Sequence, residues 1–210
     1  MVVIKRVSSL FLLSRRAVTL GLTGVVLCVG IVATFDVGYG VGGIVGEPTP
    51  ISHLLPIVLG ILIGMSATSS QPSLEQLAGT RLTVATNLAI LGQTVLWSAV
   101  LFAGIVFSTA VQELPLPTSM YAMFVLTMMT SAGLALLSSI VFSPRLAWIV
   151  PGVFLIVTLV GQTEGNYLEP SVPYAWNIAV LEPSALTLTI ATASYCGGVA
   201  LWNALRYRRT

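Results

Sequence analysis

Charge is scarce in this sequence: 210 residues hold nine Lys or Arg and seven Asp or Glu, 8% of the chain. A soluble domain spends about a quarter of its residues on charge, so a water-soluble globular fold is excluded on composition. Disorder and nucleic-acid binding go with it, because a net charge of +2 comes from too few groups to build a basic face. Histidine occurs once, as His53 at the outer end of an apolar stretch, so no intramembrane Ser-His pair or multi-His metal site can be assembled. The two cysteines, Cys28 and Cys196, form neither a disulfide framework nor a CxxC motif, and each reads as a small hydrophobe within a span. Lys5 is the only lysine, which excludes a G-x-x-x-x-G-K-[ST] phosphate loop. Carboxylates are missing from every apolar stretch, so an intramembrane enzyme would lack its catalytic groups, and no cofactor or metal site is expected in this chain.

What the sequence has in quantity is apolar residues, 56% of the chain, with a mean hydropathy of +0.96. Six stretches predict transmembrane helices, near Ala17–Phe35, Ile51–Ser69, Leu82–Ser108, Ser119–Phe142, Leu146–Gly161 and Ser184–Leu205. The expected fold class is therefore all-α, a polytopic membrane protein with six spans and both termini on one side. A span needs about 20 residues, so spans and loops would use the 210 residues and leave no room among them for a soluble ATPase domain.

The basic residues test that topology independently. Lys5, Arg6, Arg15, Arg16, Arg81, Arg145, Arg206, Arg208 and Arg209 all fall on the side of the termini, and Asp36, Glu47, Glu113, Glu164, Glu169 and Glu182 fall on the other. The positive-inside rule makes the basic side cytoplasmic and places the loops at 36–50, 109–118 and 162–183 outside. Glu75, in the inner loop at 70–82, is the one acidic residue on the basic side.

Residues 1–16 place Val3, Ile4, Val7, Leu10 and Phe11 at helical spacing, with Lys5, Ser8, Ser9, Arg15 and Arg16 opposite. This predicts a cytoplasmic amphipathic entry helix lying in the headgroup layer ahead of a 17–205 transmembrane domain, with a basic tail at 206–210. A cleaved signal peptide is the competing reading, but no A-x-A site follows the apolar stretch. Gly38-Tyr-Gly40-Val-Gly-Gly43 spells G-x-G-x-x-G without the flanking strand and helix of a dinucleotide site, and reads as a turning loop. Within the spans, Gly60-x-x-x-Gly64, Asn87, Gln93, Thr94, Ser98, Ser131, Ser138 and Ser139 predict close helix approach and interhelical hydrogen bonds. The functional alternative is a path lined by these groups and by Met123, Met128 and Met129.

Two segments carry a family resemblance. The stretch from Ser70 to Arg81, with Leu74, Glu75, Leu77, Gly79 and Thr80, resembles the inner loop of type-2 ABC exporter permeases, in which a short helix with a leucine–glutamate core and a small-residue–Arg turn docks onto an ATPase. Where the family carries an acidic-Gly-Thr lead-in, this chain has Ser69-Ser70-Gln71-Pro72. The outer loop, with Val172-Pro173-Tyr174-Ala175-Trp176 and Leu181-Glu182-Pro183, is similar to the hairpin between spans five and six of that family.

The resemblance implies a permease subunit of an exporter for a peptide, antibiotic or lipid-like substrate, multi-pass in a bacterial cell membrane. Its implied partners are a cytoplasmic ATP-binding subunit, which uses the ATP, a second permease copy or paralogue, and membrane lipid. Leu74, Glu75, Leu77, Arg81 and Leu82 would dock the ATPase, and Tyr174, Trp176 and Glu182 would form an outer gate or interface anchor. Two other classes suit a chain of this layout: a substrate-capturing subunit of a vitamin or metal importer, using the 36–50 and 162–183 loops, and a non-transporting immunity or assembly protein.

Overall fold

The computed structural model describes residues 24–25, 38–39, 49–50, 54–67, 72–111, 118–156 and 183–205. These are helical apart from short turns and one two-residue antiparallel pairing, β1 (Gly38–Tyr39) with β2 (Thr49–Pro50). The helices are α1 (Leu55–Ala67), α2 (Pro72–Val111), α3 (Thr118–Val141), α4 (149–156) and α5 (Ala185–Leu205), with a 3-10 turn at Pro144–Leu146 between α3 and α4. Among the described residues, three segments are long and apolar enough to cross a membrane: Thr83–Phe107, Tyr121–Val141 and Ala185–Leu205. They coincide with the third, fourth and sixth predicted spans. The second is represented by α1, whose 13 residues rise only about 20 Å against a hydrocarbon thickness of about 30 Å. Of the fifth, the described helix covers 149–156, and of the first only residues 24–25.

Within the stretch expected as an inner loop carrying a short helix, the chain is helical from Pro72 and continuous with the following span. Hydropathy ends near Arg81, but a helix needs only backbone hydrogen bonds and tolerant side chains. Proline at the first helical position is preorganised for that conformation, and Leu, Glu, Gln and Ala then favour it. The small-residue–Arg turn implied by the resemblance is therefore absent, since Gly79, Thr80 and Arg81 lie inside α2.

The α3 helix is the hub, buried over 67% of its apolar segment against 28% for α2 and 22% for α5. Buried positions run all round it, among them Phe124, Thr127, Met128, Ser131, Ala132, Ala135 and Leu136, as expected of a helix enclosed by neighbours. Unlike a soluble helix, α2 is apolar on its exposed side as well as on its buried one. Thr86, Ile90, Thr94, Trp97, Leu101 and Ile105 turn inward, while Val84, Leu88, Leu91, Val95 and Phe102 are exposed. Two hydroxyls sit among apolar groups on the inner face, and the outer face is apolar throughout, a surface suited to hydrocarbon.

Expelling water cannot drive helices together inside lipid, so close packing and hydrogen bonds must do so. Glycines supply the packing. A Cβ on Gly60 would come within 2.5 Å of the Met128 carbonyl oxygen and Ser131 Cβ, and one on Gly64 would overlap Ala135 Cβ. The hydroxyl of Ser131 uses this closeness to donate to the Ile57 carbonyl of α1 at 2.8 Å. On the opposite side of α3, Gly133 and Gly198 bring the α3 and α5 backbones into contact: a Cβ on Gly198 would lie 2.6 Å from the Gly133 carbonyl oxygen.

Local devices set the helix ends. Ser184 caps α5 reciprocally with Thr187, whose backbone N–H donates to Ser184 Oγ at 3.2 Å, while the Ser184 N–H donates to Thr187 Oγ1 at 2.8 Å. After α3, Ser138 Oγ donates to the Leu146 carbonyl at 2.9 Å and accepts from the Val150 N–H at 3.4 Å, fastening the turn that carries Arg145.

Candidate functional site

Polar side chains converge where α2 meets α1 and α5. At the α5 contact, the Asn203 amide donates to Asn87 Oδ1 at 3.1 Å. About two turns along α2, Thr94 Oγ1 lies 2.9 Å from the Tyr195 hydroxyl. Thr94 spends its own hydrogen on the Ile90 carbonyl at 2.9 Å, so Tyr195 is the donor in that pair. One turn further, Ser98 donates to the Thr94 carbonyl at 2.8 Å. The two bridges run in opposite chain directions, Asn87 to Thr94 on α2 and Asn203 to Tyr195 on α5, so the helices are antiparallel here.

At the α1 contact, Ser66 Oγ donates to the Ile63 carbonyl at 2.8 Å and lies 2.5 Å from Gln93 Oε1. One hydroxyl hydrogen cannot serve both acceptors. Turned end for end, the Gln93 amide donates to Ser66 and both contacts are satisfied.

These bridges differ in kind from the glycine contacts of α3. Close backbone approach is extensive between α3 and each of α1 and α5, and nearly absent between α2 and α5. Long side chains span the α2–α5 interval instead. Asn203 Oδ1 is buried without a hydrogen-bond partner among the described residues, as is Thr127 Oγ1 on α3. An unpartnered amide oxygen costs about 1–3 kcal/mol, so the α2–α5 seam retains an unused acceptor.

None of the expected site residues has its side chain among the described residues. Leu74, Glu75, Leu77, Arg81 and Leu82 lie on the first turns of α2, ahead of its charge-free segment, and their side chains are outside the described residues. Tyr174, Trp176 and Glu182 lie outside the described residues altogether, as does His53. Met123 and Met128, named for a methionine-lined path, are packed in the core cluster with Phe124 and Leu136. Sequence reasoning named Asn87, Gln93, Thr94 and Ser98 but missed Ser66, Tyr195 and Asn203, their partners. The signal was available: Tyr195 and Asn203 are hydrogen-bonding groups eight positions apart in a helix without Asp, Glu, Lys, Arg or His.

Among the described residues no group of His, Cys, Asp or Glu could hold a metal ion, and Cys196 is exposed on α5. Fold and site together define a helical bundle with three helices long and apolar enough to cross a membrane and an uncharged polar seam. No family model, curated protein or solved structure matches the chain, so its function has to be argued from its own residues.

Removing the Ser131 hydroxyl isolates the worth of one interhelical bond. Ser131→Ala is expected to lower stability by about 0.6–1.7 kcal/mol, read from reversible unfolding in mixed micelles. A change indistinguishable from zero would mean that the glycine packing holds α1 without it.

Proposed function

We propose that this chain is the permease subunit of an ABC-type exporter in the cell membrane, moving a peptide, antibiotic or lipid-like substrate with ATP hydrolysed by a separate cytoplasmic subunit. The observation that supports this reading is the continuity of α2. Its 40 residues have a contour length of about 60 Å, twice the hydrocarbon thickness. The charge-free part, Thr83–Phe107, accounts for the crossing. The part carrying Glu75 and Arg81 lies outside the hydrocarbon because burying those charges is costly. A force applied at 72–82 therefore reaches the bundle without passing through a loop. At about 100° per residue, positions 74, 77 and 81 share one side of the helix, the spacing a docking face needs. In the six-span arrangement, with both termini cytoplasmic, this face meets the ATPase, and a second permease copy completes the transporter.

Purification of the tagged full chain from detergent-solubilised native membranes tests the proposal: an ATP-binding subunit is expected to come with it. Its absence at native expression would remove the exporter reading. Leu74→Asp and Leu77→Asp are expected to cut co-purification and export at least tenfold while the bundle stays folded, because a charge on the apolar docking face must be desolvated. Full coupling in both variants would refute the docking assignment.

A further inference from the structure

We propose that the turn carrying Arg145, together with the exposed strip of α4 beyond it, is a docking surface for an anionic phospholipid, with the phosphate on the turn and an acyl chain along the helix. The inference rests on the chain lying in a bilayer and not on the exporter reading. Arg145 is exposed and is the one charged residue among the described side chains, so no carboxylate among them neutralises it. Two positions earlier, the Ser143 side chain makes no capping bond to the 3-10 turn that it precedes. A guanidinium and a hydroxyl thus flank Pro144 as donors, and phosphate oxygens can accept from both.

The apolar half of the surface begins three residues on. Trp148 is 51% exposed, whereas Trp97 and Trp202 are buried. The Gly152 N–H donates to the Trp148 carbonyl at 2.7 Å, so helical spacing already holds at 148, and positions 148, 152 and 156 share one side of α4. The indole lies over Gly152, where a Cβ would come 3.3 Å from Trp148 Cε3. Ile156, also exposed, continues the strip, with exposed Val153 beside it. From 148 to 156 the strip runs about 12 Å away from Arg145. A cation and a hydroxyl at the head of an apolar strip complement an amphiphile with an anionic head.

The simpler alternative is an Arg and a Trp at the membrane edge that meet any lipid alike. What favours a built site is that the turn is fixed before a lipid arrives. The Leu146 N–H donates to the Ser143 carbonyl at 3.0 Å, and Ser138 holds both the Leu146 carbonyl and the Val150 N–H. On binding, only the side chains of the turn are left to be ordered, which keeps the entropic cost low.

Quenching of Trp148 by brominated acyl chains tests the site. The full chain is reconstituted in phosphatidylcholine vesicles holding graded fractions of brominated phosphatidylglycerol or brominated phosphatidylcholine, and subtracting the Trp148→Phe variant isolates the Trp148 emission. One Arg beside anionic headgroups gives about a fivefold preference, so half-quenching is expected at about a fivefold lower fraction of phosphatidylglycerol. Arg145→Gln is expected to make the two lipids equal. Arg145→Lys is expected to keep part of the preference, since an ammonium retains the charge but not the bidentate fork. Equal half-quenching by the two lipids in the native chain, or a preference that survives Arg145→Gln, would overturn the proposal. Quenching by neither lipid would overturn it as well, by placing Trp148 outside the bilayer, an outcome distinct from the loss of an ATP-binding partner. Inorganic phosphate is expected to weaken the preference no more than sodium chloride of equal ionic strength. Stronger displacement by phosphate would assign the turn to the free anion and refute the lipid.

Discussion

Gly133→Leu is expected to cost this protein its folded bundle. A Cβ at Gly133 would overlap the Ser194 carbonyl group and approach Tyr195 N at 2.8 Å, and these are backbone atoms that cannot rotate away. The α5 helix would have to move outward, losing the Gly198 contact and drawing Tyr195 and Asn203 away from α2. Overpacking a tight core costs about 1–3 kcal/mol, and forced separation of two backbones belongs at or above that upper end. The expected reading is aggregation on solubilisation, or a melting temperature lowered well beyond that of any seam variant. Neighbouring glycines on α5 give an internal comparison. Gly198→Ala meets the Gly133 backbone and should destabilise. Gly197→Ala, with nothing within 4 Å of its Cβ, should be neutral or stabilising by up to about 1 kcal/mol through helix propensity. Equal behaviour of the two would show that α3 and α5 do not meet as described.

Val95→Asp is expected to reduce membrane-integrated protein more than tenfold. Val95 is 61% exposed and lies midway along the charge-free part of α2. Placing Asp at the centre of a span costs about 2.5–3.5 kcal/mol on the insertion scale. Val84→Asp should be milder, although Val84 is similarly exposed at 58%, because it sits at the start of that segment where a carboxylate can reach the headgroups. Carbonate-resistant membrane yield measures both. If the two substitutions were tolerated alike, the exposed face of α2 would not be lipid-facing.

The crossing segments were legible because hydropathy and charge placement are properties of single positions. The predicted Leu82–Ser108, Ser119–Phe142 and Ser184–Leu205 each contain a segment long and apolar enough to cross: Thr83–Phe107, Tyr121–Val141 and Ala185–Leu205. Pairing was less legible, since it depends on two positions at once. Gly60 and Gly64 advertise themselves by their spacing, whereas Gly133 and Gly198 stand in different helices and resemble Gly92 and Gly197, which contact nothing. Asn87 could be recognised as a hydrogen-bonding group, but its partner lies 116 residues away. The continuity of α2 through 72–82 escaped for another reason: loss of hydropathy marks the edge of the membrane, not the end of a helix.

The fastening at Ser138 has a consequence for how the molecule is held in depth. Arg145 is exposed on the turn that this hydroxyl ties to α3, and a guanidinium keeps its place at the headgroups because sinking it is expensive. The central helix is thereby moored to the bilayer surface at one end. Helices α1 and α5 inherit that vertical datum through their glycine contacts, whereas α2 takes its position from side-chain bridges and its own charged end. A change in bilayer thickness would thus be felt first as sliding between α2 and the other three.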